Sequence, residues 1–225
     1  MAIALPAYNE ARALPGLLDS LGGLRGYFAS LRLVVVDDGS GDGTAEIAEE
    51  HGAEVVRHAR NRGLGAALMT GLREACGADV VVTMDADGTA GSDVALALAL
   101  AVVGGADLAV ASRYVRGAQV SGIPIARRVL SQAGSLLARA VLALPVRDCT
   151  SGFRAYSGRV VREALACWDG RLVTCRGPAC QLELLRKCLP FARRVEEVPL
   201  VFDYSRRGRS RLRVGRGAVE ALGYL

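Results

Sequence analysis

Lysine is almost missing from this chain. Lys187 is the only one among 225 residues, and arginine carries the rest of the positive charge, which nets +5. With alanine and glycine so abundant, that preference reads as a compositional habit and not as a sign of function. Histidine is nearly as scarce. Of the two present, His51 stands before Gly52, where a helix should end, and so reads as a helix C-terminal residue and not a metal ligand. The six cysteines (Cys76, Cys149, Cys167, Cys175, Cys180 and Cys188) form no CxxC pair and have no histidine beside them. That argues against zinc and against a disulfide framework, and for small buried thiols in a reducing cytosol. No apolar run reaches the roughly 20 residues that span a bilayer. The longest uncharged stretch, residues 94–106, is broken by Gly104-Gly105 and suits a buried helix. Residues 1–5 pass at once into a strand and Pro6, unlike a signal peptide. The expectation is a cytoplasmic chain, soluble or peripheral to a membrane.

What is present is an apolar half, 51% of residues, enough to bury a sizeable core as one domain. Short β-branched runs alternate with helical patterns. Residues 2–5 read as a strand, and Leu14, Leu17, Leu18 and Leu21 recur at helical spacing after it. A second strand covers 31–36, and Thr44 is a good N-cap for a helix running to about Glu50. A third strand at 54–56, a helix to about Cys76, a fourth strand from Val81, a helix through Ala101 and a fifth strand at 108–112 complete the rhythm. This predicts an α/β fold: a doubly wound, mostly parallel sheet flanked by helices. Such sheets bind ligands beyond the carboxyl ends of their strands.

Acidic chemistry collects at those ends. The run Val81-Val82-Thr83-Met84-Asp85-Ala86-Asp87 reads as a buried strand ending in two carboxylates at i and i+2, which on a strand point the same way. A capped strand-to-turn would give the same letters. The functional alternative is a hard divalent cation between the carboxylates, one that tolerates a bound phosphate. Asp37-Asp38 end the second strand, Ser112-Arg113 the fifth, and Tyr8 and Glu10 follow the first. The glycine-rich dinucleotide fingerprint is missing after strand one, so a nucleotide held through a cation fits better. Asp37 or Asp38 could accept hydrogen bonds from its base or ribose, and Tyr8 could pack on the base.

Pro6-Ala7-Tyr8-Asn9-Glu10, Val36-Asp37-Asp38-Gly39-Ser40 and Asp85-Ala86-Asp87 resemble, in order, the signatures of inverting family 2 glycosyltransferases with the GT-A fold. Ser112-Arg113-Tyr114, the run from Arg147 through Thr150-Ser151-Gly152-Phe153-Arg154 to Tyr156, Gln181-Leu182-Glu183 and Glu197-Val198-Pro199-Leu200 resemble the dolichyl- or polyprenyl-phosphate mannose synthase branch. The resemblance implies a nucleotide-sugar donor, GDP-mannose, bound by Pro6, Ala7, Tyr8, Glu10, Val36, Asp37, Asp38, Asp85, Ala86 and Arg211. It implies Mg²⁺ or Mn²⁺ on Asp85 and Asp87, with Thr89 where relatives often place glutamine. Arg113, Arg127 and Ser131 would hold the phosphate of a polyprenyl or dolichyl acceptor, and Arg127 and Ser131 share a helix face at i and i+4. Asp87, Arg113 and Glu183 would be the catalytic set, with Glu183 orienting the sugar or sitting in a helix salt bridge. Residues 1–115 would form the nucleotide-sugar half and 116–225 the acceptor half of one domain.

A phosphate nucleophile is already ionised at neutral pH and needs no base, which accords with the lack of histidine in any motif. Val129, Leu130, Ala133, Leu136, Leu137, Ala140, Val141 and Leu144 recur at helical spacing, as an interfacial helix or as a core one. Arg206, Arg207, Arg209, Arg211, Arg213 and Arg216 follow one another with no acid between them, suiting the anionic cytoplasmic face of a membrane or a donor diphosphate. The run has no aromatics to stack on bases, which argues against nucleic acid. Relatives carry arginine where Ser205 stands and lysine where Arg211 stands. Two other readings stay open: a UDP-glucose or other UDP-sugar donor, and an inactive nucleotide-binding scaffold.

Overall fold

The computed structural model describes residues 1–122, 132, 135, 136 and 139–206. Its first half follows a strand–helix rhythm: β1 (Ala2–Ala7), α1 (Leu14–Gly22), β2 (Arg32–Asp37), α2 (Thr44–Glu50), β3 (Glu54–Arg57), α3 (Leu64–Ala75), β4 (Val80–Thr83), α4 (Ser92–Val103) and β5 (Leu108–Ser112). The second half adds β6 (Gln119–Ser121), β7 (Arg154–Ser157), α5 (Gly158–Trp168), α6 (Cys180–Cys188), β8 (Val195–Pro199) and β9 (Val201–Asp203). Residues 139–142 are also helical. The expected α/β architecture is present, with the sheet in the order β3-β2-β1-β4-β7-β5-β8. Every pairing in it is parallel except those of β7, which runs antiparallel to β4 and β5. A strand from the second half thus lies between two strands of the first, so both halves share one sheet. No helix among the described residues is long and apolar enough to cross a membrane.

The central strands are buried on both faces, which explains their unbroken apolar runs. Alternate residues feed opposite cores. Ile3, Leu5, Val35 and Val82 pack with Leu14, Leu18 and Leu98 from α1 and α4. Ala2, Val81, Leu108 and Val110 pack with Leu68, Leu72, Leu184 and Leu185 from α3 and α6.

Two local expectations are corrected. Thr44 is not the N-cap but the first residue of α2, preceded by Gly43 at φ 85°. Asp42, just before Gly43, accepts from the Thr44 N–H at 3.1 Å through Oδ1. The fourth strand, expected to run to Asp87, ends at Thr83, because its partner β7 offers only Arg154–Ser157. The Thr83 hydroxyl instead donates to Gly152 O at 3.1 Å. Asp85 and Asp87 therefore lie in a turn, and strand parity is not what orients them.

β7 passes directly into α5 at Gly158, whose N–H donates to Asp79 O at 2.6 Å. A Cβ on Gly158 would come within 2.0 Å of Ala78 O. Gly158→Ala is therefore expected to destabilise the chain by about 2 kcal/mol through overpacking. A lower urea midpoint at unchanged slope is the expected result.

Candidate active site at the carboxyl edge of the sheet

Beyond β4 the chain turns so that Asp87 faces back on Thr89. Asp87 Oδ1 accepts from the Thr89 N–H at 3.1 Å and from its hydroxyl at 2.5 Å. Both residues are buried and Asp85 is half-buried. Thr89 was expected as a cation ligand; its hydroxyl proton here goes to Asp87, which fixes that carboxylate. The Thr89 carbonyl accepts from Asp203 N at 2.9 Å, so the turn is stitched to β9, which precedes the basic run in sequence. Gly152 faces Asp85, and a Cβ there would lie 3.2 Å from Asp85 Oδ1 and 2.9 Å from Gln181 Nε2. Among the described residues no three His, Cys, Asp or Glu side chains converge. Two carboxylates, with a hydroxyl behind one of them and a glycine keeping space open at the other, suit a hard oxygen-seeking cation that takes its other ligands from elsewhere. These residues fit Mg²⁺ or Mn²⁺.

The expected nucleoside residues meet at the ends of β1 and β2. Pro6 pairs with Val36 and Ala7 with Asp37 in register. Tyr8, 41% exposed, follows, and Asn9 is left-handed at φ 57°, a conformation asparagine tolerates. Asn9 N donates to Ser40 Oγ (2.8 Å), Gly41 N to Asn9 Oδ1 (3.0 Å) and Glu10 N to Thr44 Oγ1 (2.9 Å), zipping the two loops together. The two aspartates part company here. Asp37 gives one oxygen to the Ser40 N–H at 3.0 Å. Asp38 is absorbed by the scaffold: it accepts from Arg62 N (2.9 Å) and Gly63 N (2.8 Å) and bonds His58 Nδ1 (2.7 Å). Asp38, expected alongside Asp37 at the nucleoside, is bonded to the loop at residues 58–63. His58 also reaches Thr70 Oγ1 at 3.0 Å.

Arg113 ends β5 and is held rigidly. Its Nε and Nη2 donate to Asp148 at 2.7 Å each, and Nη2 also donates to Thr150 Oγ1 at 2.7 Å. Burial works against the cation, but the Asp148 carboxylate outweighs it and raises the Arg113 pKa. The guanidinium lies 5.5 Å from the Tyr114 ring centroid. Asp148 is fully buried, and its N–H and that of Arg147 donate to Glu197 Oε1.

Glu183, expected to orient a sugar or to sit in a helix salt bridge, makes that bridge to Lys187 at i+4. Its four lone-pair positions are filled: Oε1 accepts from Thr174 Oγ1 and Lys187 Nζ (both 2.6 Å), and Oε2 from the N–H groups of Thr174 (2.8 Å) and Cys175 (2.9 Å). Burial favours the neutral acid, yet the Cys175 N–H, Lys187 and Thr174 outweigh it and hold the pKa down to about 2. Arg127, Ser131 and Arg211 lie outside the described residues, as do Arg207, Arg209, Arg213 and Arg216 of the arm and Val129, Leu130, Ala133 and Leu137 of the expected helix. The sequence reading passed over Asp148 and Gln181 as individual residues. Asp148 carried one available signal, two places before Thr150 in a motif that otherwise drew notice.

Comparison with known proteins places these features in company. Residues 2–165 match the family described as Glycosyl transferase family 2. An undecaprenyl-phosphate mannosyltransferase from Micrococcus luteus is 34% identical over 218 residues, 94% of this chain and 86% of that one. A polyprenol monophosphomannose synthase from Mycolicibacterium smegmatis is 35% identical over 220 residues, 93% of this chain and 80% of that one. Among solved structures, glucosyl-3-phosphoglycerate synthase from Mycobacterium tuberculosis, in complex with Mn²⁺ and UDP-glucose, superimposes with a TM-score of 0.69 at 25% identity. It covers 98% of this chain and 77% of that one.

The depressed Glu183 pKa sets an acid-limb prediction. A carboxylate whose pKa falls on folding adds stability that is complete above its unfolded pKa, 4.5, and is lost as pH falls towards about 2. Glu183→Gln should cost on the order of 3 kcal/mol at neutral pH, as removal of one buried charge partner does. It should also flatten the fall of melting temperature between pH 5 and pH 2, to be read by thermal denaturation across that range.

Proposed function

This chain belongs to glycosyl transferase family 2, and on that premise we propose that it transfers mannose from GDP-mannose to a polyprenyl phosphate, with inversion at the sugar. The observation that carries the reading is similarity over 94% of the chain to an enzyme that mannosylates undecaprenyl phosphate. In this reading Asp85 and Asp87 hold Mg²⁺ or Mn²⁺, which would neutralise charge on the departing nucleoside diphosphate. The Mn²⁺ in the solved synthase complex supports that choice of ion. Thr89 holds Asp87 in one rotamer, so the carboxylate is aimed before any ligand arrives. Tyr8 offers a ring face to the base, and Asp37 an acceptor oxygen to its N–H.

Arg113 takes the acceptor phosphate. Its Nε and Nη2 are committed to Asp148 and Thr150, so the guanidinium presents its Nη1 edge in one orientation. A phosphate oxygen is ionised at neutral pH, so displacement needs positioning rather than a base. Neither histidine is placed to act as one: His58 is buried against Asp38, and His51 bonds Asp19 at 2.8 Å. Leu136 and Val141 turn apolar side chains outward, which supports a peripheral contact with the cytoplasmic face of a membrane for a lipid acceptor.

A second reading keeps the acceptor and changes the donor to a UDP-sugar. Asp37 can accept from the N–H of uracil as well as from that of guanine, and the solved neighbour holds UDP-glucose. Incubation with polyprenyl phosphate, Mg²⁺ or Mn²⁺, and labelled GDP-mannose, UDP-glucose and UDP-N-acetylglucosamine separates the readings. Mannose label is expected in the lipid phase, lost on chelation and reduced on the order of 10³-fold by Asp87→Ala. Transfer of a uridine-linked sugar in its place establishes the second reading, and no transfer from any donor establishes an inactive scaffold.

A further inference from the structure

Arg154 lies in β7 at the middle of the sheet with no exposed surface. Among the described residues no carboxylate is recorded in an ion pair with it. A guanidinium removed from water without a counter-charge is costly unless hydrogen bonds offset the loss. Its bonds are few and specific. Nη1 donates to Gln181 O at 2.5 Å and Nη2 to Cys149 O at 2.9 Å, while Nε finds no acceptor among the described residues. Tyr156, two residues on, is fully buried beside it, and its hydroxyl also lacks a well-formed bond. The proposed chemistry uses none of this.

The two gripped carbonyls belong to segments that meet at the cation site. Cys149 leads into residues 150–153, and Gln181 stands in the first turn of α6. The two segments come together at Gly152, where a Cβ would crowd both Gln181 Nε2 and Asp85 Oδ1. The Thr83 hydroxyl tethers the Gly152 carbonyl from below. Among the described residues the buried Gln181 Oε1 has no hydrogen-bond partner. The Cys180 thiol, beside Gln181, lies in the opposing fields of Arg154 and Asp85.

We infer that Arg154 is a positioning residue for the cation site: by gripping the Cys149 and Gln181 carbonyls it sets the gap at Gly152 that holds the Asp85 carboxylate against the Gln181 amide. The inference rests on the cation-bridged donor site proposed above. A planar guanidinium can hold two carbonyls on separate segments at once, whereas the point charge of a lysine can settle on one.

The test is Mn²⁺ binding, followed by the electron paramagnetic resonance of the free ion, with GDP and in parallel with UDP. It compares the full chain with Arg154→Lys and Gly152→Ala. Both variants should bind Mn²⁺ roughly tenfold or more weakly, the loss that follows removal of a residue that orients a metal ligand. Their turnover should recover at raised Mn²⁺, with the KM for polyprenyl phosphate unchanged. Gly152 does not have a left-handed φ, so alanine there tests space alone and carries the test if Arg154→Lys fails to fold. Binding within twofold of the unaltered chain in Gly152→Ala, or in folded Arg154→Lys, overturns the inference alone. Absence of Mn²⁺ binding by the unaltered chain with either nucleotide overturns the donor-site reading, and this inference with it.

Discussion

The loops at the carboxyl edge of the sheet are held in place by two carboxylates that are almost wholly buried, Asp38 and Glu183. Asp38 gathers the N–H groups of Arg62 and Gly63, and Glu183 gathers those of Thr174 and Cys175. The two loops so gathered press directly on each other. A Cβ on Gly65 would fall 1.8 Å from Cys175 O, and one on Gly63 2.7 Å from Arg176 O. Contact that close needs both sides fixed, and a buried anion can fix a loop because leaving its oxygens unbonded would be costly. The start of α3, the loop before α6 and the end of β2 are thereby one rigid rim.

That arrangement divides the acidic residues of the edge into two groups. Asp38, Asp42, Asp148 and Glu183 spend their oxygens on backbone N–H groups, threonine hydroxyls, histidine, arginine or lysine, and build the frame. Asp37, Asp85 and Asp87 stand where a nucleotide and a cation would meet the protein. Arg113 shows the same economy from the cationic side, since Asp148 orients it and leaves one edge for a ligand. β9, which precedes the basic run in sequence, is tied to the carboxylate turn through Asp203 N and Thr89 O.

Much of the fold was legible because parallel strands buried on both faces write nearly unbroken apolar runs, as β1, β2, β4 and β5 do. β7 was not legible: Arg154-Ala155-Tyr156-Ser157 is short, carries an arginine, and takes its place between β4 and β5 only through long-range pairing. At the site, positions were easier to read than duties. Asp37 and Asp38 are adjacent, identical letters, and what separates them is the loop from residue 58 to 63, whose bonds to Asp38 span 20 to 25 residues. The duty of Glu183 stayed open between sugar and helix salt bridge, because nothing local shows that residues 174 and 175 fold back over it. Arg154 passed unremarked inside a motif, since burial of an arginine has no signature in spacing.

The central claim is that the turn carrying Asp85 and Asp87 grips a nucleoside diphosphate through a divalent cation and not directly. Titration calorimetry of GDP and UDP into the protein, with Mn²⁺ and then after exhaustive chelation, measures this most directly. The account predicts heat of binding with the ion present, and its disappearance both on chelation and in Asp87→Ala. Equal affinity with and without the ion, unaffected by Asp87→Ala, would contradict it.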